Sequence, residues 1–258
     1  MTGVQTCALP IYENIEVIFV DDGSTDNSVH HARTLWKNSR VRVFGAGIHN
    51  GKASSINIGL NMVNGEFTFI LDADSELQFG AIDILLAQFN SANVGGVAAN
   101  LRVRNSAENL LTQLQECEYA MNVSIARLWR AKLGLSTILP GAGAMFRTQI
   151  LKDLGGFDTG LGDDTDMTIK LRKGRWRIGF APNAIVWTDV PNTLSWLLKQ
   201  RSRWSRNMVK IRLHKQLDIG NPFRYGVVNT LLLSDLLITR VILPILGFGG
   251  VIYYSLRE

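Results

Sequence analysis

Phe67-Thr68-Phe69-Ile70-Leu71-Asp72-Ala73-Asp74 is an apolar, β-prone run that stops in two carboxylates one residue apart. Residues i and i+2 of an extended segment point to the same side, so Asp72 and Asp74 are expected to face one point just past the end of a strand. Open α/β sheets bind ligands at that end. Two like charges this close favour a positive neighbour, and a hard divalent cation with oxygen ligands suits them. A polar strand cap that merely holds two aspartates is the plainer alternative.

The segments around this run alternate in the manner of an α/β protein. Upstream, Ile15-Glu16-Val17-Ile18-Phe19-Val20 reads as a strand, and Asp21-Asp22-Gly23-Ser24 follows at once as a turn. Ser24 to Asp26 offer capping groups for a helix to about Lys37. Val41–Phe44 is a second strand, and Asn50-Gly51-Lys52 opens a helix carrying Ile56, Leu60 and Met62. Downstream come a helix over Phe79–Phe89, a strand over Val94–Val103 and a long helix from about Ala107 to Lys132. The small-residue loop Pro140–Ala144 precedes Gly162-Asp163-Asp164-Thr165-Asp166, where acids gather in the first turn of a helix, as its dipole prefers. Short strands near Trp176–Phe180 and Ala184–Trp187 lead to a basic helix over about 193–214. This order predicts a mostly parallel, doubly wound sheet with helices on both faces.

Composition narrows the setting. With 258 residues, 46% of them hydrophobic, the chain suffices for one large domain and a small appendage. Its net charge of +5 is concentrated between Lys199 and Lys215, which hold seven Lys/Arg and no acid. Such a run suits a polyanion or an anionic membrane surface. It abuts a hydrophobic stretch and has little aromatic interleaving, which favours lipid, so no nucleic-acid partner is expected. The cysteines, Cys7 and Cys117, have no metal-site spacing, and a reducing environment fits them. Cys117 is read as helix packing, and His30, His31, His49 and His214 as surface or packing residues.

Both ends are read separately. Residues 1–11 have no charged leader region, and Ala8-Leu9-Pro10-Ile11 matches the translation of a short-read sequencing adapter, so they are taken as non-native. Residues 225–256 are read as one transmembrane or membrane-lying helix cut short. Val241–Leu256 carries no charge, while Asp235 and Arg240 interrupt the stretch before it, and a charge at a helix centre costs about 2.5–3.5 kcal/mol on insertion.

Four elements stand in order: Asp21-Asp22-Gly23-Ser24, Asp72-Ala73-Asp74, Asp163-Asp164, and Gln200-Arg201-Ser202-Arg203-Trp204. Together they resemble the processive family 2 glycosyltransferases, the group of cellulose, chitin, hyaluronan and poly-N-acetylglucosamine synthases. The resemblance spans residues 12–258, and Q-x-x-R-W is its most specific part. It implies a GT-A type α/β domain over 12–222 whose central first strand is missing. It further implies a UDP-sugar donor, a growing glycan acceptor, a membrane lipid partner, and a cell-membrane enzyme whose catalytic domain faces the cytoplasm.

By this resemblance Asp21 or Asp22 binds uracil, Lys52 lies near the nucleotide, and Asp72 and Asp74 hold Mg²⁺ or Mn²⁺ against the diphosphate, Asp74 more directly. Asp164 is the general base, and Gln200, Arg203 and Trp204 bind the acceptor end and the leaving diphosphate. Asp163 stands where the family usually has Glu. The chemistry itself calls for a carboxylate to take a hydroxyl proton and for cations to neutralise a departing diphosphate. Two other functions remain open from the residues: single transfer of a sugar to a lipid, and non-catalytic binding of a nucleotide or polyanion.

Overall fold

The computed structural model describes residues 14–37, 40–132, 138–159, 163–211 and 215–237. They divide into two compact units, Met1–Met208 and Val209–Glu258.

The first unit opens with β1 (Val17–Asp21), α1 (Ser28–Leu35), β2 (Val41–Gly45) and α2 (Lys52–Met62). Then come β3 (Phe67–Ile70), the short β4 (Glu76–Leu77), α3 (Ala81–Leu86) and β5 (Val94–Val103). A long helical segment follows: α4 (Leu110–Glu118), a π-helical stretch over Tyr119–Ile125, and α5 (Ala126–Lys132). It ends with β6 (Ala144–Arg147), α6 (Thr148–Asp153), α7 (Asp163–Lys173), β7 (Arg177–Thr188) and α8 (Leu194–Lys210).

β1 and β2 pair in parallel as a small sheet, with Ala32 of α1 and Trp36 just after it buried against the sheet. The larger sheet has the order β3-β6-β5-β7-β4. Among the described residues, the second edges of β1 and β3 have no strand partner. Side-chain alternation splits the core over the two faces of the larger sheet. Ala98, Ala144 and Phe146 meet α2, α6 and α7 on one face, while Val97, Ala99 and Met145 meet α3 on the other. β5 is buried almost throughout, as a strand covered on both sides must be.

The expectation of helices on both faces holds, but that of a mostly parallel sheet does not. Only β5 and β7 pair in parallel in the larger sheet, while β3–β6, β5–β6 and β4–β7 are antiparallel. The reason lies in where the chain enters β6. Gly143 donates its N–H to Ile70 O at 2.8 Å and accepts from Ala99 N at 2.7 Å. The loop is thus tied to the end of β3, and β6 must run back alongside it. β6 thus starts beside the carboxyl end of β3.

Two smaller expectations are also revised. The two strands expected near 176–187 form one strand, β7, whose register against β5 slips between Ala99 and Asn100. Pro182 sits in that irregularity, where its missing N–H costs no ladder bond, and its carbonyl accepts from Asn100 Nδ2 at 2.9 Å. The helix expected over 107–132 is interrupted by the π-helical turns.

The second unit holds a 3₁₀ turn (Leu217–Gly220), α9 (Pro222–Tyr225) and α10 (Val227–Leu237). Asn221 Oδ1 caps α9 by accepting from Phe223 N at 3.0 Å. Most of the membrane segment expected over 225–256 lies outside the described residues. Among those described, no helix is long and apolar enough to cross a membrane.

Candidate active site

The Asp21–Ser24 turn caps β1. Asp21 is buried, and its Oδ2 accepts from the N–H groups of Gly23 at 3.1 Å and Ser24 at 3.0 Å, closing the turn. Asp22 reaches across to the next loop, where Oδ1 accepts from Asn50 N at 2.9 Å and Oδ2 from Gly51 N at 3.0 Å. His49 Nδ1 lies 2.8 Å from Asp22 Oδ2, so this histidine, read as a surface or packing residue, belongs to the clamp although it is exposed. Gly23 has φ +80°, and a Cβ there would sit 2.6 Å from His49 N; only glycine permits this approach. Burial raises the pKa of Asp22, but the Asn50 amide, His49 and the Gly51 amide outweigh it and hold the carboxyl below its usual range.

The clamped loop leads directly into α2, whose first residue is Lys52. The Lys52 ammonium forms an ion pair with Asp72 Oδ1. β3 ends at Ile70, so Asp72 and Asp74 occupy a turn rather than an extended segment, with Ser75 N donating to Asp72 O at 3.0 Å. The same-side argument from strand geometry therefore does not apply to them. Asp74 is exposed and accepts from Ser75 Oγ at 3.2 Å.

Asp164 lies in the first turn of α7, and its Oδ1 accepts from Thr165 N at 2.6 Å. Thr168 Oγ1 returns to Asp164 O at 2.7 Å and accepts from Leu139 N at 3.0 Å, binding the helix to the chain just before Pro140. A Cβ built on Gly141 would lie 3.3 Å from Lys52 Nζ and 3.8 Å from Asp164 Cβ. Gly141 therefore brings Lys52, its partner Asp72 and Asp164 to one space past the end of β3. Of Asp163 only the helical backbone is described.

The Gln200–Trp204 segment lies on α8, most of which is exposed. Arg201 ties it to α4. Arg201 Nη2 lies 2.6 Å from Glu118 Oε2, and its guanidinium stacks 4.9 Å from the centre of the Trp204 ring. Arg203 is exposed, Gln200 half-buried and Trp204 39% exposed.

Sequence reasoning missed Glu118, Tyr119, Arg127 and Arg201. Glu118, Tyr119 and Arg127 belong to the long helical pattern read only as a helix, and Arg201 to the basic run read as facing lipid, though the adjacency of Arg201 to the motif was a usable signal. Burial raises the pKa of the Tyr119 phenol; Glu118 and Asp74 add to this, while Arg201 and Arg127 oppose it. Tyr119 is thus electrostatically coupled to the Asp74 turn, to α5 and to α8. It opens the π-helical stretch, a kind of irregularity frequent at functional sites. Cys117, read as packing, is exposed.

A divalent cation takes oxygen ligands and often only one or two protein carboxylates, with phosphate oxygens and water supplying the rest. The exposed carboxylate of Asp74, beside Asp72, fits such a shared site. Among the described residues no third acidic, histidine or cysteine ligand joins them.

The protein-family description "Glycosyltransferase like family 2" matches residues 5–207. The poly-beta-1,6-N-acetyl-D-glucosamine synthases of Staphylococcus epidermidis and Staphylococcus aureus are each 29% identical over 197 residues, 76% of this chain and 48% of theirs. The chain thus spans about half the length of the relatives it matches. Among solved structures, the mannosyltransferase PcManGT from Pyrobaculum calidifontis, in complex with GDP-Man and Mn²⁺, superposes with a TM-score of 0.60 at 20% identity, over 94% of this chain and 72% of that one. Staphylococcus aureus TarS 1–349 in complex with UDP gives 0.52 at 16% identity, over 81% and 64%. These likenesses establish a GT-A-like α/β fold. The family match over most of the chain establishes that it is a glycosyltransferase belonging to glycosyltransferase family 2.

Proposed function

We propose that the chain carries the catalytic domain of a membrane-bound, inverting glycosyltransferase that moves a sugar from a UDP-sugar to a growing polysaccharide. The approach of both Lys52, with Asp72 attached, and Asp164 to Gly141 carries this reading. On this reading Asp164 is the general base and Lys52 a charge-balancing group beside it. The polysaccharide-synthase relatives supply the acceptor class.

In this reading Asp164 takes the proton of the acceptor hydroxyl as its oxygen bonds to the anomeric carbon of the donor. The bond to the diphosphate breaks on the opposite side, which inverts the centre. Lys52 supports the diphosphate. Asp74 with Asp72 would hold Mg²⁺ or Mn²⁺, which neutralises the charge left on the departing group. Uracil is received at the Asp21–Asp22 turn. There Asp22 is occupied by the Asn50–Gly51 loop, which leaves Asp21 Oδ1 as the freer carboxylate oxygen. Gln200, Arg203 and Trp204 face the acceptor end, with Trp204 offering a flat apolar surface to a sugar ring. The basic α8, with Trp196 71% and Leu198 58% exposed, suits anionic lipid headgroups.

The test is incorporation of labelled UDP-sugar into polymer by membranes holding the complete protein. Asp164→Asn is expected to lower the rate by roughly 10²–10⁴-fold, the range of general-base contributions, while UDP still binds. Full activity in that variant would remove Asp164 from its role. Single transfer to a lipid is the second reading, favoured by the exposed apolar side chains of α8, and product length separates the two.

A further inference from the structure

Asn57 sits in the middle of α2, a position asparagine disfavours because its side chain competes for backbone bonds. Its amide reaches instead to the turn after α6. Nδ2 donates to Phe157 O at 2.7 Å, and Oδ1 accepts from Phe157 N at 2.8 Å. One side chain thus holds both backbone groups of a residue 100 positions away. The approach is close, since a Cβ on Gly156 would stand 2.5 Å from Asn57 Oδ1. The same turn is tied to α7 from the other side. Lys170 Nζ donates to Gly156 O at 2.9 Å and lies 3.5 Å from Oδ2 of Asp166, whose side chain is 1% exposed. α2 and α7 are therefore bonded to two adjacent residues, Phe157 and Gly156.

These two helices carry the groups that approach Gly141. Lys52 is the first residue of α2, about 7.5 Å along the axis from Asn57, and Asp164 lies about 9 Å along α7 from Lys170, at roughly 1.5 Å per residue. Apolar packing also joins the helices, since Ala53, Leu60, Phe157, Met167 and Leu171 share one core cluster. Such packing is non-directional. A hydrogen bond has a preferred length and angle, so a paired donor and acceptor fix how far one helix is displaced along the other. We infer that Asn57 is a positioning residue: its two bonds to Phe157, continued by Lys170 at Gly156, set the Asp164 carboxylate relative to the Lys52 end of α2. The inference rests on Asp164 being the base. Asparagine suits the task because its short, planar amide offers donors beside an acceptor. Aspartate could still accept from Phe157 N but would set a second acceptor against Phe157 O.

The experiment uses the complete protein in membranes, with labelled UDP-N-acetylglucosamine as donor probe and N-acetylglucosamine oligomers as acceptor probe. UDP binding counts the folded sites, so turnover is expressed per site and any loss of folded protein drops out. Asn57→Asp and Asn57→Ser are each expected to lower turnover per site about tenfold or more, as displaced reacting groups do, with donor KM and UDP affinity held within about twofold. In an Asp164→Asn background the same changes should cost less than about threefold further, because a residue acting through the base has nothing left to position. Unchanged turnover per site in Asn57→Ser, which lacks the amide, overturns the inference. An equal loss with and without the Asp164 carboxylate overturns it too. If both variants lose UDP binding together with melting temperature, Asn57 serves the fold alone and the inference is again overturned. If Asp164→Asn by itself keeps full turnover, the functional reading falls and the inference with it. If that variant is slow while Asn57→Ser is not, only the inference falls.

Discussion

Lys52 and Asp164 meet at Gly141. A Cβ on that glycine would stand 3.3 Å from the Lys52 ammonium nitrogen and 3.8 Å from Asp164 Cβ. The contact with Lys52 is at the far end of a flexible side chain, so an added methyl would displace the ammonium without disrupting backbone. Gly141→Ala should therefore fold with a melting temperature within a few degrees of the parent. Transfer should fall about tenfold or more, since small displacements of reacting groups cost up to about 10²-fold. A transfer assay beside a thermal melt checks this. Undiminished transfer would show that the space is not used.

The exposed Asp74 carboxylate gives a metal prediction. Chelation by EDTA should abolish transfer, and added Mn²⁺ or Mg²⁺ should restore it, with Asp74→Asn raising the metal concentration required. Activity that survives chelation would leave the Asp72–Asp74 turn without a metal role.

The Asp22 clamp makes stability depend on pH with a definite sign. Its folded pKa is depressed, so the contribution is present above the ordinary carboxylate value of 3.8 and is lost as pH falls through the folded pKa. Asp22→Asn loses one acceptor oxygen to the loop and should cost about 1 kcal/mol at neutral pH. The difference between parent and variant should shrink in acid. A denaturation series against pH measures it, and a gap that widens toward low pH contradicts the assignment.

Glu118 and Arg201 fasten α8 to α4. The pair is partly exposed, with side chains 41% and 32% accessible, so a double-mutant cycle on stability should give a coupling of only about 0.5–1 kcal/mol. Its larger effect should fall on function. Glu118→Gln and Arg201→Met should each lower transfer, and the double variant should do no worse than the weaker single one. Independent, additive losses would mean that the two residues serve separate ends.

Much of this was legible in the chain itself. The β-prone runs at 17–20, 67–70 and 94–103, the glycine and aspartate turns, and the acid-rich start of α7 are local signals, set by a residue's own conformational preference and its near neighbours. They sufficed for an α/β domain and for the family resemblance. Side-chain identity also pointed to Asp72, Asp74 and Asp164, because few residue types can bind a cation or accept a proton.

Strand direction, by contrast, was decided by where β6 enters, through the Gly143 bonds to Ile70 and Ala99, and no periodicity encodes that. Likewise, Asp72 and Asp74 looked like a strand pair but lie in a turn, because the ladder with β6 stops at Ile70. The partners Lys52–Asp72, Asp22–His49 and Glu118–Arg201 join distant segments. A charge on a helix reads the same in sequence whether it meets water or a carboxylate of another segment. Only the packing of α2 against the turn after β3, and of α8 against α4, decides which it meets, since burial and pairing are properties of the assembled neighbourhood and not of the residue.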